Sequence, residues 1–281
     1  MRTKLILVEG LPGFGKSTTA RLMHEILTEH HIKNELFSEG SLNHPADFEG
    51  VAYYTPVDYK GLLSDYAEYA TVLKENTVSK ENGAFVSYQK MKESNQSTLP
   101  EDLYNKLAKK DVYELPLDIH IPLLIKRWKE FVEQALKSNK TFIFECCFIQ
   151  NPITIGMIKY NASMEIVTDY ILHLAKIIEP LNPLLIYVDQ ENLRTSFEKV
   201  LRERDNSWSE GFIDYYTNQG YGKAHDYRGV EGTVKVLEAR ELLENEIVNK
   251  LSFKKVIVDN SSYDLTQYQT LLEEIIKEKL N

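Results

Sequence analysis

Short apolar runs with no polar alternation recur along the chain, at 5–8 (Leu5, Ile6, Leu7, Val8), 141–146, 184–188 and 255–259, with a weaker one at 34–38. An unbroken run of this length, bounded by turn residues, reads as a strand buried on both faces of a parallel sheet. Between the runs, apolar residues return every three or four positions, at 16–30, 164–178, 193–204, 230–251 and 265–280. In the first of these stretches the spaced residues are Ala20, Met23, Ile26 and Leu27. Strands that alternate with helices predict βαβ crossovers, hence an α/β fold with a five-stranded parallel sheet between helices.

Two intervals break the rhythm. The first, 39–136, holds predicted helices near 59–74, 101–109 and 119–136, separated by polar linkers such as 94–99. It is rich in tyrosine (Tyr53, Tyr54, Tyr59, Tyr66, Tyr69, Tyr88) and reads as a helical insertion over the sheet's carboxyl edge, where α/β proteins bind ligands. Tyr53 and Tyr54 suit an acceptor pocket or ordinary helix packing equally. The second, 205–228, contains Gly211, Gly220 and Gly222 among aromatics and has the composition of a mobile flap. The 281 residues fit a single domain, 1–281, carrying both excursions.

Composition narrows the class. With 33 basic against 42 acidic residues the formal net charge is −9, which argues against a grip on nucleic-acid backbones. The only cysteines, Cys146 and Cys147, are adjacent, a poor arrangement for a disulfide or a zinc site. Reduced, buried thiols in a reducing cytoplasm are the expectation. The apolar run 5–8 is too short for a signal peptide, and no stretch approaches the length of a membrane span, so no membrane partner is expected. Nothing in the sequence sets the oligomeric state.

Gly10-Leu11-Pro12-Gly13-Phe14-Gly15-Lys16-Ser17 matches GxxxxGK[ST] without a gap and sits between a predicted strand and a predicted helix. Its glycines let the backbone curl so that consecutive N–H groups face a β-phosphate, and the helix N-terminus adds its dipole. Lys16 suits the β- and γ-phosphate oxygens, Ser17 suits Mg²⁺, and Thr18 suits the α-phosphate. The segment therefore predicts binding of ATP, or of GTP, which base-reading loops leave undistinguished.

The third strand ends Phe142-Ile143-Phe144-Glu145, placing a carboxylate where it can hold Mg²⁺ or orient an attacking group. GTPase switches fit poorly: Asp47-Phe48-Glu49-Gly50 satisfies DxxG but follows no apolar strand, and no NKxD motif is present. Leu201-Arg202-Glu203-Arg204-Asp205 closes a predicted helix at the edge of the flap. Arg202 and Arg204 present planar forks that pair with phosphate oxygens, the chemistry of charge stabilisation during phosphoryl transfer.

The phosphate loop, Glu145, the Arg202/Arg204 pair and the last strand ending Asp259-Asn260 together resemble the nucleoside-monophosphate-kinase-like group, which includes thymidylate kinases and small antibiotic or sugar kinases. The lead-in Val8-Glu9-Gly10 looks like that of thymidylate and deoxynucleoside kinases. The resemblance implies a strand order of 2-3-1-4-5, a lid near 202–229, and Asn260 and Ser261 beside the nucleotide base. Thymidylate kinases carry Asp-Arg where this chain has Glu145-Cys146, and their substrate region is shorter, which points to a different acceptor.

On the acceptor side the second strand runs into Glu39-Gly40-Ser41-Leu42-Asn43-His44-Pro45-Ala46-Asp47. Glu39 is the candidate general base, with Glu145 as the alternative, and His44 and Asp47 are candidate substrate contacts. Gln150 and Asn151 follow the third strand and are placed to turn into the same cleft. The reading is an ATP- and Mg²⁺-dependent phosphotransferase acting on a small molecule such as a metabolite, nucleotide or antibiotic. The rival reading is a nucleotide-dependent switch or assembly factor without a small acceptor, and a kinase acting on a macromolecule is a third.

Overall fold

The computed structural model describes residues 3–94 and 99–279, which form two units: Met1–Glu39 with Trp128–Asn281, and Gly40–Arg127. Eight strands occur among the described residues. Two open the first unit, β1 (Leu5–Gly10) and β2 (Asn34–Phe37), and three lie in the second, β3 (Ala52–Tyr54), β4 (Thr77–Lys80) and β5 (Gly83–Val86). The chain returns to the first unit for β6 (Thr141–Glu145), β7 (Leu184–Asp189) and β8 (Lys254–Asp259).

The sheet of the first unit is parallel throughout, in the order β2-β6-β1-β7-β8. Counted within that sheet the order is 2-3-1-4-5, the topology of a P-loop fold. Every residue of β1 is buried, as expected for the central strand of a sheet covered on both faces. Ile6, Val8, Ile143, Ile186, Val188 and Val258 face the Lys16–Glu29 and Leu265–Lys279 helices, which supply Met23, Ile26, Leu27 and Leu272. The opposite face is aromatic near β6: Trp128 and Phe131 meet Phe144 at 5.8 and 4.7 Å between ring centroids, and Trp128 meets Phe148 at 6.0 Å.

The strand register brings three tips to one height. Phe37 pairs with Phe144, and Val8 with Glu145, so the carboxyl ends of β2, β6 and β1 lie level. A side chain leaving any of the three tips can meet those leaving the others.

The expectation for 205–228 is corrected. In place of a glycine-rich flap there are two helices, Asn206–Thr217 and Gly220–Ala224. Phe212 stacks on Tyr216 at 4.2 Å, and Tyr216 is itself buried. Two of the glycines, Gly220 and Gly222, serve close approach. A Cβ on Gly220 would fall 2.0 Å from the Ile158 carbonyl oxygen, and one on Gly222 would fall 2.1 Å from that of Tyr216.

This segment is tied to the sheet by a buried polar group. Arg240, in the Gly229–Lys250 helix, donates from Nε to Glu244 at 2.6 Å and from Nη1 to the Tyr216 hydroxyl at 2.8 Å. Tyr187 of β7 donates to the other Glu244 oxygen at 2.7 Å. Arg240 and Glu244 are wholly excluded from solvent, where each further hydrogen bond offsets part of the cost of desolvating the ion pair.

The second unit is also corrected in part: besides helices it contains an antiparallel sheet in the order β3-β5-β4. Strands of three and four residues are too short to show alternation, so only the helical signals were visible in the sequence. Ala52, Tyr54 and Val86 of that sheet share a core with Leu62, Leu73, Met91, Leu103 and Leu107. The helix predicted at 59–74 is two, Pro56–Asp65 and Ala70–Glu75. Residues 95–98 of the 94–99 linker, and Leu280 at the predicted end of the last helix, lie outside the described residues. Among the described residues no helix is long and apolar enough to cross a membrane.

Arg240 Nη2 has no hydrogen-bond partner among the described residues, so removing the Tyr216 hydroxyl would strand a second buried guanidinium nitrogen. Tyr216→Phe is expected to destabilise the chain by about 1–3 kcal/mol, read from the urea midpoint. An unchanged midpoint would contradict the anchoring role.

Candidate active site

The phosphate loop takes its shape from neighbours outside it. Gly10 has φ 142°, and a Cβ there would sit 2.3 Å from the Val188 carbonyl oxygen of β7. Gly13, at φ 87°, lies under the Leu193–Glu203 helix, where a Cβ would meet Val200 at 2.4 Å. Gly15, at φ 101°, leaves room for Asn260, whose side-chain amide donates to the Phe14 carbonyl at 2.8 Å. The carbonyl oxygens of Phe14 and Asn260 also lie 3.4 Å from the Gln190 side-chain nitrogen, and Gln190 in turn accepts from Tyr263 at 3.0 Å. Asn260, expected beside the nucleotide base, thus braces the loop. Gln190 and Tyr263 carry no motif and are placed only by the fold.

Lys16 is buried and donates to the Leu11 carbonyl at 2.9 Å, folding its ammonium over the loop. Ser17 opens the Lys16–Glu29 helix with its hydroxyl donated to Glu145 Oε1 at 2.5 Å. Glu145 is buried at the tip of β6, and its second oxygen accepts the Glu39 backbone N–H at 3.2 Å. Glu39, two residues beyond β2, is exposed, and its Oε1 accepts from the Gln150 side-chain amide at 2.6 Å. Its Oε2 has no hydrogen-bond partner among the described residues. Lys16, Ser17, Glu145 and Glu39, all named from the sequence, are therefore gathered at one end of the parallel sheet.

A carboxylate oxygen from each of Glu39 and Glu145 and the Cys146 sulfur lie within 4.8 Å of one another. The oxygen donors suit a hard cation such as Mg²⁺, which takes few protein ligands and keeps water and phosphate oxygens. Cys146 turns the chain at the end of β6 with φ 69°, and burial pushes its thiol well above the ordinary range. Both cysteines are free and buried, as the sequence suggested.

Behind the loop lies a group that motif reading treats only as a lead-in. Glu9 is the last residue before Gly10, is fully buried, and accepts the backbone N–H groups of Phe148 at 2.8 Å and Gln150 at 3.0 Å. Burial raises its pKa to about 7, against the pull of those N–H groups. An acid inside an otherwise apolar strand was the available signal.

Arg202 ends the Leu193–Glu203 helix and Arg204 follows it, both exposed. Arg204 lies over the Trp208 ring at 5.7 Å, and neither arginine has an ion pair among the described residues. Asp205, which could have paired with them, caps the next helix by accepting from Trp208 N–H at 2.8 Å. The Leu193–Glu203 helix touches the phosphate loop at Gly13 through Val200, one turn before Arg204.

His44 and Asp47 belong to the second unit, where both are buried. His44 Nδ1 accepts the Ala46 N–H at 3.2 Å, and burial with the nearby Arg127 charge lowers its pKa to about 3, so it is neutral at physiological pH. Asp47 accepts from the Phe48 N–H at 2.7 Å and from the Tyr113 hydroxyl. Within this unit both side chains hold their own loop.

No protein-family model matches the chain, and no curated protein sequence does. Among solved structures it is similar to a thymidylate kinase from Candida albicans, at 15% sequence identity and a TM-score of 0.38, over 98% of this chain and 92% of that one. At this identity and score the likeness carries no argument about activity. The fold stands on the strand order itself.

Glu9 gives the site a pH signature. Its folded pKa of about 7 exceeds the ordinary 4.5, so between those values the folded chain holds a proton that the unfolded chain releases. Its contribution to stability is complete below about pH 4.5 and is lost as pH rises through 7. Relative to Glu9→Gln, the wild type is expected to lose roughly 3 kcal/mol of unfolding free energy across that window, measured by urea titration at each pH. Parallel stability curves for the two proteins would contradict it.

Proposed function

We propose that the chain is a P-loop phosphotransferase that moves the γ-phosphate of a nucleoside triphosphate, ATP or GTP, to a hydroxyl or similar group of a small molecule. The observation that carries this reading is the meeting of Ser17, Glu145 and Glu39. A phosphate loop and its helix hydroxyl stand beside two strand-tip carboxylates, one fully engaged and one with an oxygen to spare.

The roles follow from those surroundings. The backbone of 10–17 and Lys16 would hold the β- and γ-phosphate oxygens. Ser17 and Glu145 would hold the magnesium that accompanies the nucleotide, and that ion supplies charge neutralisation on the phosphates when bound. Glu145 has both oxygens committed, to the Ser17 hydroxyl and the Glu39 N–H, which leaves Glu39 as the carboxylate with an oxygen open to an acceptor. Glu39 is exposed with Oε2 unengaged, which suits it to the acceptor proton.

In the reaction the acceptor hydroxyl passes its proton to Glu39 as its oxygen bonds to the γ-phosphorus. The bond from that phosphorus to the β–γ bridging oxygen breaks, and its electron pair leaves with the nucleoside diphosphate. Arg202 and Arg204, exposed and without ion pairs, would move onto the transferring group by rotating their side chains. His44 and Asp47 would shape the acceptor loop from within rather than touch the acceptor with charge.

The test is ADP formation from Mg²⁺ and ATP across a panel of metabolites, nucleosides and aminoglycosides. Formation is expected to depend on one acceptor class, to fall below detection in Lys16→Ala, and to drop roughly 10²- to 10⁴-fold in kcat in Glu39→Gln with nucleotide affinity kept. Equal ADP release with and without every acceptor would sink the proposal. In that event nucleotide-dependent association with another macromolecule becomes the reading to pursue.

A further inference from the structure

A run of hydrogen bonds joins the interior of the sheet to the exposed carboxylate of Glu39. Glu9, on β1, accepts from the backbone N–H groups of Phe148 and Gln150, and thereby fixes the turn after β6. Gln150, buried in that turn, sends its side-chain amide to Glu39 Oε1 at 2.6 Å. The Glu39 N–H reaches Glu145, and Glu145 accepts from Ser17 on the phosphate-loop helix. The path starts one residue before Gly10 and ends at Ser17, so it closes a ring around the catalytic end of the sheet.

Glu39 needs such support. It lies two residues past the end of β2 on an exposed stretch, and a long carboxylate there loses side-chain freedom only if something holds it. Among the described residues the sole side chain bonded to its carboxylate is Gln150. A donor on Oε1 also decides which oxygen stays open: Oε2 has no hydrogen-bond partner among the described residues.

Resting on the phosphotransferase reading, we propose that Gln150 and Glu9 are positioning residues: Gln150 aims the Glu39 carboxylate so that Oε2 meets the acceptor proton, and Glu9 fixes the turn that carries Gln150. Neither touches the reacting atoms. Glu9 acts at one remove, through two backbone amides, and its burial keeps water from competing for them.

The first measurement needs no turnover. In the ¹⁵N-labelled full chain, the Gln150 side-chain amide is assigned by its loss in Gln150→Ala. It is expected away from the free-glutamine position and slow to exchange, and to return to that position in Glu39→Ala and in Glu9→Gln. Thermal melts confirm that each variant folds, and if Glu9→Gln does not, Glu9→Asp, one methylene shorter, is used instead. An amide unmoved in Glu39→Ala overturns the proposal, and one unmoved in both Glu9 variants overturns the part given to Glu9.

The second measurement is steady-state turnover of ATP and Mg²⁺, with water and then the panel acceptor as the group attacked. Gln150→Ala is expected to lower kcat roughly ten- to a hundredfold, as misplacement of a reacting group does, with KM for the nucleotide within about twofold. A loss shared equally with KM, or no loss while Glu39→Gln is impaired, overturns the positioning role and leaves the phosphotransferase reading intact. Normal turnover in Glu39→Gln overturns the base assignment of that reading, and with it the proposed aim of Gln150, whatever the amide shows.

Discussion

Burial of the Glu9 carboxylate is the constraint on which the rest of the site depends. A carboxyl group in the central strand of a parallel sheet is expensive to bury, most of all when ionised, unless hydrogen bonds replace the water it has lost. Here the compensation comes from Phe148 and Gln150, whose backbone N–H groups converge on both oxygens. The arrangement binds three things at once: the strand that delivers the phosphate loop, the turn after β6, and through Gln150 the side chain of Glu39. Residues 139 and 141 positions from Glu9 in sequence are held in place by the group that stands next to Gly10.

The neighbouring Arg240 and Glu244 pair extends the same theme. Glu244 lies close enough to Glu9 to add to the rise in its pKa, and it shares a sheet face with it through Tyr187, which pairs with Glu9 in the β1–β7 register. The carboxyl end of β1 thus rests on a buried polar layer rather than on hydrocarbon alone. Such a layer tolerates few arrangements, because every member must keep its partner.

Much of this was legible in the sequence, for physical reasons that also explain what was not. Strands buried on both faces leave uninterrupted apolar runs, so all five strands of the parallel sheet could be read, and the phosphate loop announced itself by glycine spacing. Glu145 and Glu39 were found because strand tips in such sheets converge. The small antiparallel sheet of the second unit was hidden, since Ala52–Tyr54 is only three residues long. Gly220 and Gly222 were counted toward a mobile flap because a glycine that admits a neighbouring carbonyl and one that bends freely look alike in sequence. The bond from Gln150 to Glu39 crosses 111 residues, and no local pattern foretells it.

The three positive-φ glycines of the phosphate loop have a consequence for portability. Gly10 is set by a carbonyl of β7, Gly13 by a side chain of the Leu193–Glu203 helix, and Gly15 by Asn260 after β8. The octapeptide at 10–17 is therefore not a self-contained cassette. Grafted alone onto another strand–helix junction, it would bring the right letters without the three walls that mould them. A successful transplant would have to carry Val188, Val200 and Asn260 as well, from positions scattered over the last hundred residues of the chain. Eight consecutive letters advertise the site, but its mould is spread across the fold.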